Sequence, residues 1–594
     1  MNNNSFIQVN SDIRENNIHK FNNSESEEEK SLKEDRVLHK LTLRKQKMKE
    51  ILSNKRGVNP INNFDIFNNE NYNKVLYIKE NFLSGKIYDD LKNEYNANNI
   101  NEIKKILYGL GSFLKDKKNN NSELINILIK ADSSYNIQHN IKYNYIPLAS
   151  LILEIGINTN DKLVYIYCFN LILNFSFISN DFCKEITKEN IIKEIINRLI
   201  YFYPLFLEDN NINRNYKKIF CANENIIIEE AESYYFGSQI FKLLGNLYLS
   251  VDSYDIFTTI NFYEKIFFLL YTFEIDYENE KYLKYSYDYL DTLIWLLYIF
   301  LLKDEKMKIN YSDNLYNIIP KLLEYIEDLY YTDEIELLEK IIFLIEIIND
   351  INEKFTMKLV ESNGIKTLSN LFGYLFKNND DMGDIKITPE ITDRILGIFI
   401  NIFNLDSKYL ENIDFNIFAL VFEKLLSLYK YQHTNYYNIQ NNLLILLSNI
   451  GCFNNNEQLI IKIIMNNNII NDIFKYYSEY HKSYTLIFID NIIIRQNKYV
   501  RDFILNMGGF DFVKNNICSE TDRDIVKKGI LTLYDIIIKE KPYTKLLFEK
   551  IYKTSIPDKI KNIAINEILL DKEKVKVNFL NSDFETYEKS LESK

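Results

Sequence analysis

Between about residue 76 and residue 580, apolar positions recur at helical spacing in runs of roughly 10–18 residues, separated by short polar breaks and almost without proline. In ELLEKIIFLIEIINDI (336–351), Leu337, Ile341, Leu344 and Ile348 fall three and four residues apart and so share one helical face. The abundance of Ile and Tyr favours strands by propensity, but these runs far exceed the usual strand length of about five or six residues. The pattern therefore predicts an all-α chain.

The breaks are themselves periodic. Asp333–Phe376 reads as a long helix, a polar turn, a short helix EKFTMKLVESN, then Gly364 and the helix IKTLSNLFGYLF. The same parts return at 388–430, 436–478 and 480–516, where NMGGFDFVKNN again sets glycine before a helix. A glycine there suits either close helix approach or a left-handed backbone. A period of roughly 40–48 residues is that of armadillo/HEAT helical repeats, whose apolar faces are covered only by stacking. The expectation is a right-handed armadillo-repeat superhelical solenoid over 76–580, with about nine to ten repeats and an insertion at 205–235 that lengthens the third repeat region.

The front of the chain differs. Residues 1–34 are polar, carry the acidic run Ser24–Glu29, and read as a disordered N-terminus. Residues 35–57 read as a basic helix: Arg36, Lys40, Arg44, Lys45, Lys47, Lys49, Lys55 and Arg56 surround an irregular stripe of Leu38, Leu41, Met48, Ile51 and Leu52. Residues 58–75, with Pro60 and many asparagines, read as a linker, and 581–594 as a disordered tail. A basic amphipathic helix suits a membrane surface, nucleic acid or an acidic protein groove.

Charge narrows that choice. The whole chain carries a formal net charge of −12, which argues against a scaffold that tracks phosphate and hence against a nucleic-acid partner. No apolar span reaches the roughly 20 residues of a transmembrane helix, so no membrane insertion is expected, and the polar start MNNNSFIQVNSD lacks a signal core. The five cysteines, at 168, 183, 221, 452 and 518, are widely spaced and fit a reducing compartment. The five histidines, at 19, 39, 139, 433 and 481, form no HExxH or close Cys/His cluster, and there is no P-loop or GxSxG. No enzyme, metal or cofactor is expected.

With these parts in order, the chain resembles the importin alpha family. LRKQKMKEILSNKRG, Leu43–Gly57, is similar to the basic core of that family's carrier-binding, autoinhibitory arm. LLGNLYLS (243–250), DTLIWLLYIF (291–300), FLIEIINDINEK (343–354), LLILLSNIGC (443–452) and IFIDNIII (487–494) fall where the family has its third-helix signatures. The resemblance implies a nuclear import adaptor of cytoplasm and nucleus. Its arm would bind an importin-beta-like carrier, and its concave groove would bind cargo proteins with basic or atypical signals.

In the family, each third helix presents a tryptophan and, four residues on, an asparagine. Stacked repeats then offer aromatic walls for cargo lysine and arginine and amides that clamp the cargo backbone. Carried over, the asparagine positions are Asn174, Asn246, Asn401, Asn449 and Asn491, with Ile299 and Ile347 completing the series. The tryptophan positions hold Asn170, Lys242, Trp295, Phe343, Gly397, Ile445 and Ile487. Trp295, the sole tryptophan, suits either the groove or the core, and Lys242 is expected to repel a cargo lysine. The resemblance further implies that Lys55–Arg56 fold back on the acidic groove and compete with cargo. Erosion of the aromatic series keeps open an alternative: an armadillo scaffold that no longer binds basic localisation signals.

Overall fold

The computed structural model describes residues 86–115, 146–178, 180–201, 230–250, 262–275, 280–303, 305–329, 334–377, 388–405, 415–429, 436–453, 459–477, 481–519 and 522–539, with a few isolated positions between them. The predicted basic helix 35–57, its flanks 1–34 and 58–75, most of the predicted insertion and the tail 581–594 lie outside the described residues. Within the described residues every regular element is helical. Packing divides the chain into two compact units: residues 1–262 with 279–292 and 298–304, and residues 263–278 with 293–297 and 305–594.

The first unit opens with α1 (Lys86–Asn96), α2 (Ile100–Lys115), α3 (Ile146–Asn158), α4 (Lys162–Ile178), α5 (Asn180–Ile186), α6 (Asn190–Tyr201) and α7 (Glu230–Ser250). Helix α4 packs on α2 and α7 packs on α4, a consecutive ladder that α3 and α5 cover from the side. α4 is apolar nearly all round and correspondingly buried. Asp161 caps it by accepting from the backbone N–H groups of Leu163 and Val164 at 2.9 and 3.1 Å. The predicted insertion ends sooner than 235, because Glu230–Tyr235 already form the first turns of α7.

Next in the chain come α8 (Phe262–Thr272) and α9 (Glu280–Lys303), followed by α10 (Glu305–Asn310) and α11 (Ser312–Leu329). The second unit then repeats one plan. α12 (Ile335–Asn349), α13 (Glu353–Glu361) and α14 (Gly364–Lys377) form a three-helix repeat with the boundaries expected from 333–376. α15 (Pro389–Ile402) and α16 (Asn416–Tyr429) follow, then α17 (Tyr437–Ile450), a π-turn Ile460–Ile464, α18 (Asn467–Asp472) and its π-helical continuation Ile473–Tyr477. α19 (Lys482–Arg495), α20 (Lys498–Ile504), a second kinked π-segment Leu505–Gly509, α21 (Phe510–Ser519) and α22 (Arg523–Lys539) complete it.

Two parallel series run through this unit. The third helices α12, α15, α17, α19 and α22 each pack on the next, and the second helices α11, α14, α16 and α18 do the same. That double ladder is the armadillo arrangement. Tyrosine hydroxyls tie the second series together: Tyr325 donates to the carbonyls of Leu270 and Phe273 at 2.6 and 2.9 Å, and Tyr477 to that of Leu426 at 2.7 Å. Each buried phenol thereby satisfies its polar end against a neighbouring helix terminus.

Turn chemistry sets the repeat corners. Asn352, Thr388, Asn466 and Asn497 are N-caps whose side chains accept from the first free N–H groups of the following helix. At Gly364 a Cβ would lie 2.7 Å from both the side chain and the carbonyl oxygen of Leu359, so only glycine lets α14 turn so closely on α13. Gly508 takes φ +125°, and the chain reverses there into α21.

Candidate functional site

The third-helix face is the surface on which the sequence places its candidate residues. The third helices are largely apolar, and several of their polar side chains bond to the neighbouring third helix at one repeat's separation. Asn401 on α15 donates its amide to Asp350 Oδ1, just beyond α12, at 2.5 Å. Asn449 on α17 donates to the Ile400 carbonyl of α15 at 3.3 Å. Asn491 on α19 donates to Ser448 of α17, at 2.6 Å to Oγ and 3.3 Å to the carbonyl. Asn442 adds a parallel bond to Asp393 at 2.7 Å. In the first unit, Asn246 on α7 donates to Ser176 Oγ on α4 at 3.0 Å.

The asparagine series is therefore real as a structural periodicity, but four of its amides bond to the preceding repeat. Asn246 is 0 % exposed and Asn449 3 %, which corrects their expected role as clamps on a cargo backbone: a buried amide already bonded across a seam has no free face to offer. Asn401 and Asn491 are half-buried, as is Asn174. Trp295 is 3 % exposed, so the indole belongs to the core and does not wall a groove. The reason is its helix, on which Leu293, Ile294, Leu296, Leu297 and Tyr298 are all buried as well.

Lys242 also departs from expectation. Its Nζ lies 2.7 and 2.9 Å from the two carboxylate oxygens of Asp288, and Asp288 also accepts from Ser238. The Lys242 side chain is 5 % exposed. A buried, neutralised ammonium of this kind does not project charge at an approaching lysine.

Phe343 is covered rather than open. The Arg394 guanidinium of α15 stacks on its ring 3.9 Å from the centroid, donates from Nη1 to Glu346 at 3.1 Å, and brings Nε within 3.7 Å of Glu339. Glu346 approaches α15 beside Gly397, where a Cβ would come within 3.1 Å of its Oε1. Gly397 thus leaves room for the neighbouring carboxylate.

At the α17–α19 seam, His481 is buried with Nδ1 2.6 Å from Asn441 Oδ1 and Nε2 2.7 Å from Gln440 Oε1, and its ring stacks 4.5 Å from Tyr437. Gln440 is oriented by donating to the Tyr429 carbonyl at 2.6 Å. Burial lowers the imidazole pKa to about 4, because charging the ring would cost its desolvation.

Glu339, Glu346, Asp350, Asp393, Arg394 and His481 are the residues sequence reading passed over. A signal exists for them: Glu339, Glu346, Asp393 and Arg394 are charged interruptions of apolar helices, Asp350 and His481 flank helix ends, and partners recur one repeat apart, Glu346 and Arg394 at 48 residues and Asp393 and Asn442 at 49. Among the described residues, no group of three or more His, Cys, Asp or Glu converges on a metal site, and no described helix is long and apolar enough to cross a membrane.

The chain matches no protein-family model, and no curated protein matches it. Among solved structures it is similar to an engineered protein, at 13 % identity and TM-score 0.42 over 79 % of this chain and 99 % of that one. A structure from work on a phosphorylation switch controlling the interaction between cadherin and beta-catenin gives 14 % identity and TM-score 0.44, over 69 % and 68 %. A designed armadillo repeat protein in complex with the peptide (KR)4 gives 13 % and 0.33, over 46 % and 98 %. The repeat type itself is read from the double helix ladder.

Proposed function

We propose that this chain is an armadillo-type protein-interaction scaffold that works as an importin-alpha-like adaptor between cytoplasm and nucleus. In this reading the basic arm 35–57 engages an importin-beta-like carrier and the third-helix face takes a segment of a cargo protein. The observation that carries it is the series of third helices α12, α15, α17, α19 and α22, packed side by side as a continuous face for an extended segment, in a chain of net charge −12 whose residues 35–57 carry the opposite charge. Opposed charges of this kind steer a basic segment towards such a face.

The test is capture of the 30–60 peptide by a purified beta-type carrier, with Arg44, Lys45, Lys47 and Lys49 reversed to glutamate as the control. Capture that the reversal abolishes supports the adaptor. An intact peptide that stays unbound removes it and leaves a scaffold of another partner. A second reading, a scaffold that does not bind basic localisation signals, is favoured by the seam itself. Four of the five amides and the Phe343 ring that would receive such a signal are engaged by the chain's own residues, and Trp295 is buried.

A further inference from the structure

The cluster around Phe343 has the composition of a receptor site for one guanidinium group. An aromatic face lies beneath, carboxylates stand on two sides, and the surroundings are largely dry: the Arg394, Glu346 and Glu339 side chains are 11, 11 and 26 % exposed. A flat cation is held over a π face and between acids by the same forces whether it belongs to the chain or to a partner. Here the cation is supplied by the next repeat. We propose that Arg394 is a specificity-determining residue that fills this subsite from within, so that the third-helix face of α12 and α15 rejects an arginine-bearing peptide until Arg394 is removed.

Three observations carry this. The contacts of Arg394 are those of a ligand: stacking at 3.9 Å, a charged hydrogen bond at 3.1 Å and a further ion pair at 3.7 Å. The fit is imperfect, since the buried Nε makes no hydrogen bond. In the arrangement adopted, Nη1 bonds to Glu346 while Nε stays 3.7 Å from Glu339, so the tether to α15 satisfies one acid better than the other. Finally, Gly397 leaves room for the Glu346 carboxylate against the α15 backbone, where a Cβ would come within 3.1 Å of its Oε1. Truncation therefore removes the guanidinium that both carboxylates share beside the Phe343 ring, a state that favours uptake of an external cation.

This deepens the scaffold reading by naming what one stretch of the face excludes. Its test does not involve the basic arm, so the two fail separately. Full-length protein, Arg394→Ala and Arg394→Met are titrated against a fluorescein-labelled (KR)4 octapeptide, and their melting is followed with and without millimolar methylguanidinium. The expected result is about ten-fold tighter peptide binding by Arg394→Ala than by the parent, the scale of one desolvated cation–π and carboxylate contact. That gain should be cancelled by adding Glu346→Gln, and methylguanidinium should raise the melting temperature of Arg394→Ala and not of the parent. Arg394→Met keeps the ring covered without charge and should show neither effect. Two results would overturn the proposal: a parent that binds as tightly as Arg394→Ala, or an Arg394→Ala protein that gains neither peptide affinity nor methylguanidinium stabilisation. Should Arg394→Ala melt below the assay temperature, the methylguanidinium scan still decides, because an empty subsite must be refilled for stability to return.

Discussion

Lys242 in the first unit and Arg394 in the second solve the same problem differently. Both are cations with little exposed side chain, 5 % for Lys242 and 11 % for Arg394, and both pair with an acid on a neighbouring helix. Lys242 is a point charge held by both oxygens of Asp288, with Ser238 donating to the same carboxylate. Arg394 is a plane laid on Phe343 and shared between Glu346 and Glu339. The lysine seam is a closed electrostatic pair that offers nothing to a third party. The arginine seam has a face, and a face can be vacated and refilled. The difference lies in the geometry of the two head groups, since only a guanidinium combines stacking with bidentate recognition.

Breaking the lysine seam should give the largest effect. Lys242→Met leaves Asp288 partly buried without its counter-ion and is expected to cost about 3 kcal/mol or more in urea denaturation. Changing Asp288 to leucine in the same chain should return much of that loss, which a double-mutant cycle measures directly.

A third seam, at His481, uses no charge, and its response to acid separates it from both others. The folded state holds the imidazole neutral with its pKa near 4, whereas the unfolded chain binds a proton near the ordinary value of about 6.5. Stability is then fully present above about pH 6.5 and falls as pH drops towards 4, by up to about 3 kcal/mol in total. A denaturation series across that window should show the slope, and His481→Gln should flatten it.

Smaller effects sharpen the arginine side. Arg394→Lys keeps the charge and loses the plane, and about 1–2 kcal/mol of stability should go with the stacking and the second acid contact. Hydrogen exchange of α12 and α15 would place that loss locally, as expected of stacked repeats. The smallest change comes from Asn491→Ala, which removes a neutral bond to Ser448 and should cost about 1 kcal/mol. Loss of a further binding activity at that site would instead mark Asn491, half-buried as it is, as a ligand contact.

Much of the fold was legible without coordinates. The 3.6-residue apolar period of 336–351 dictated helix, the polar breaks at 350–352 and 362–364 dictated its corners, and the glycines at 364 and 508 marked a close approach and a positive φ that other residues resist. Asn401, Asn449 and Asn491 fall on α15, α17 and α19, one repeat apart along the third-helix series.

What such spacing leaves open is which way the face looks and what already sits on it. Asn246, Asn449, Trp295 and Lys242 carry the same letters whether they line a groove or a seam. Their neighbours, some 45 to 70 residues away, decide the matter through burial and hydrogen bonds. The apolar period alone determined helices, repeats and stacking, since each follows from local backbone geometry and from an apolar face that requires cover. Only the tertiary structure decided that Phe343 is occupied by Arg394 and that the asparagine amides are spent between repeats. Those outcomes depend on the distances between helices that no local pattern records.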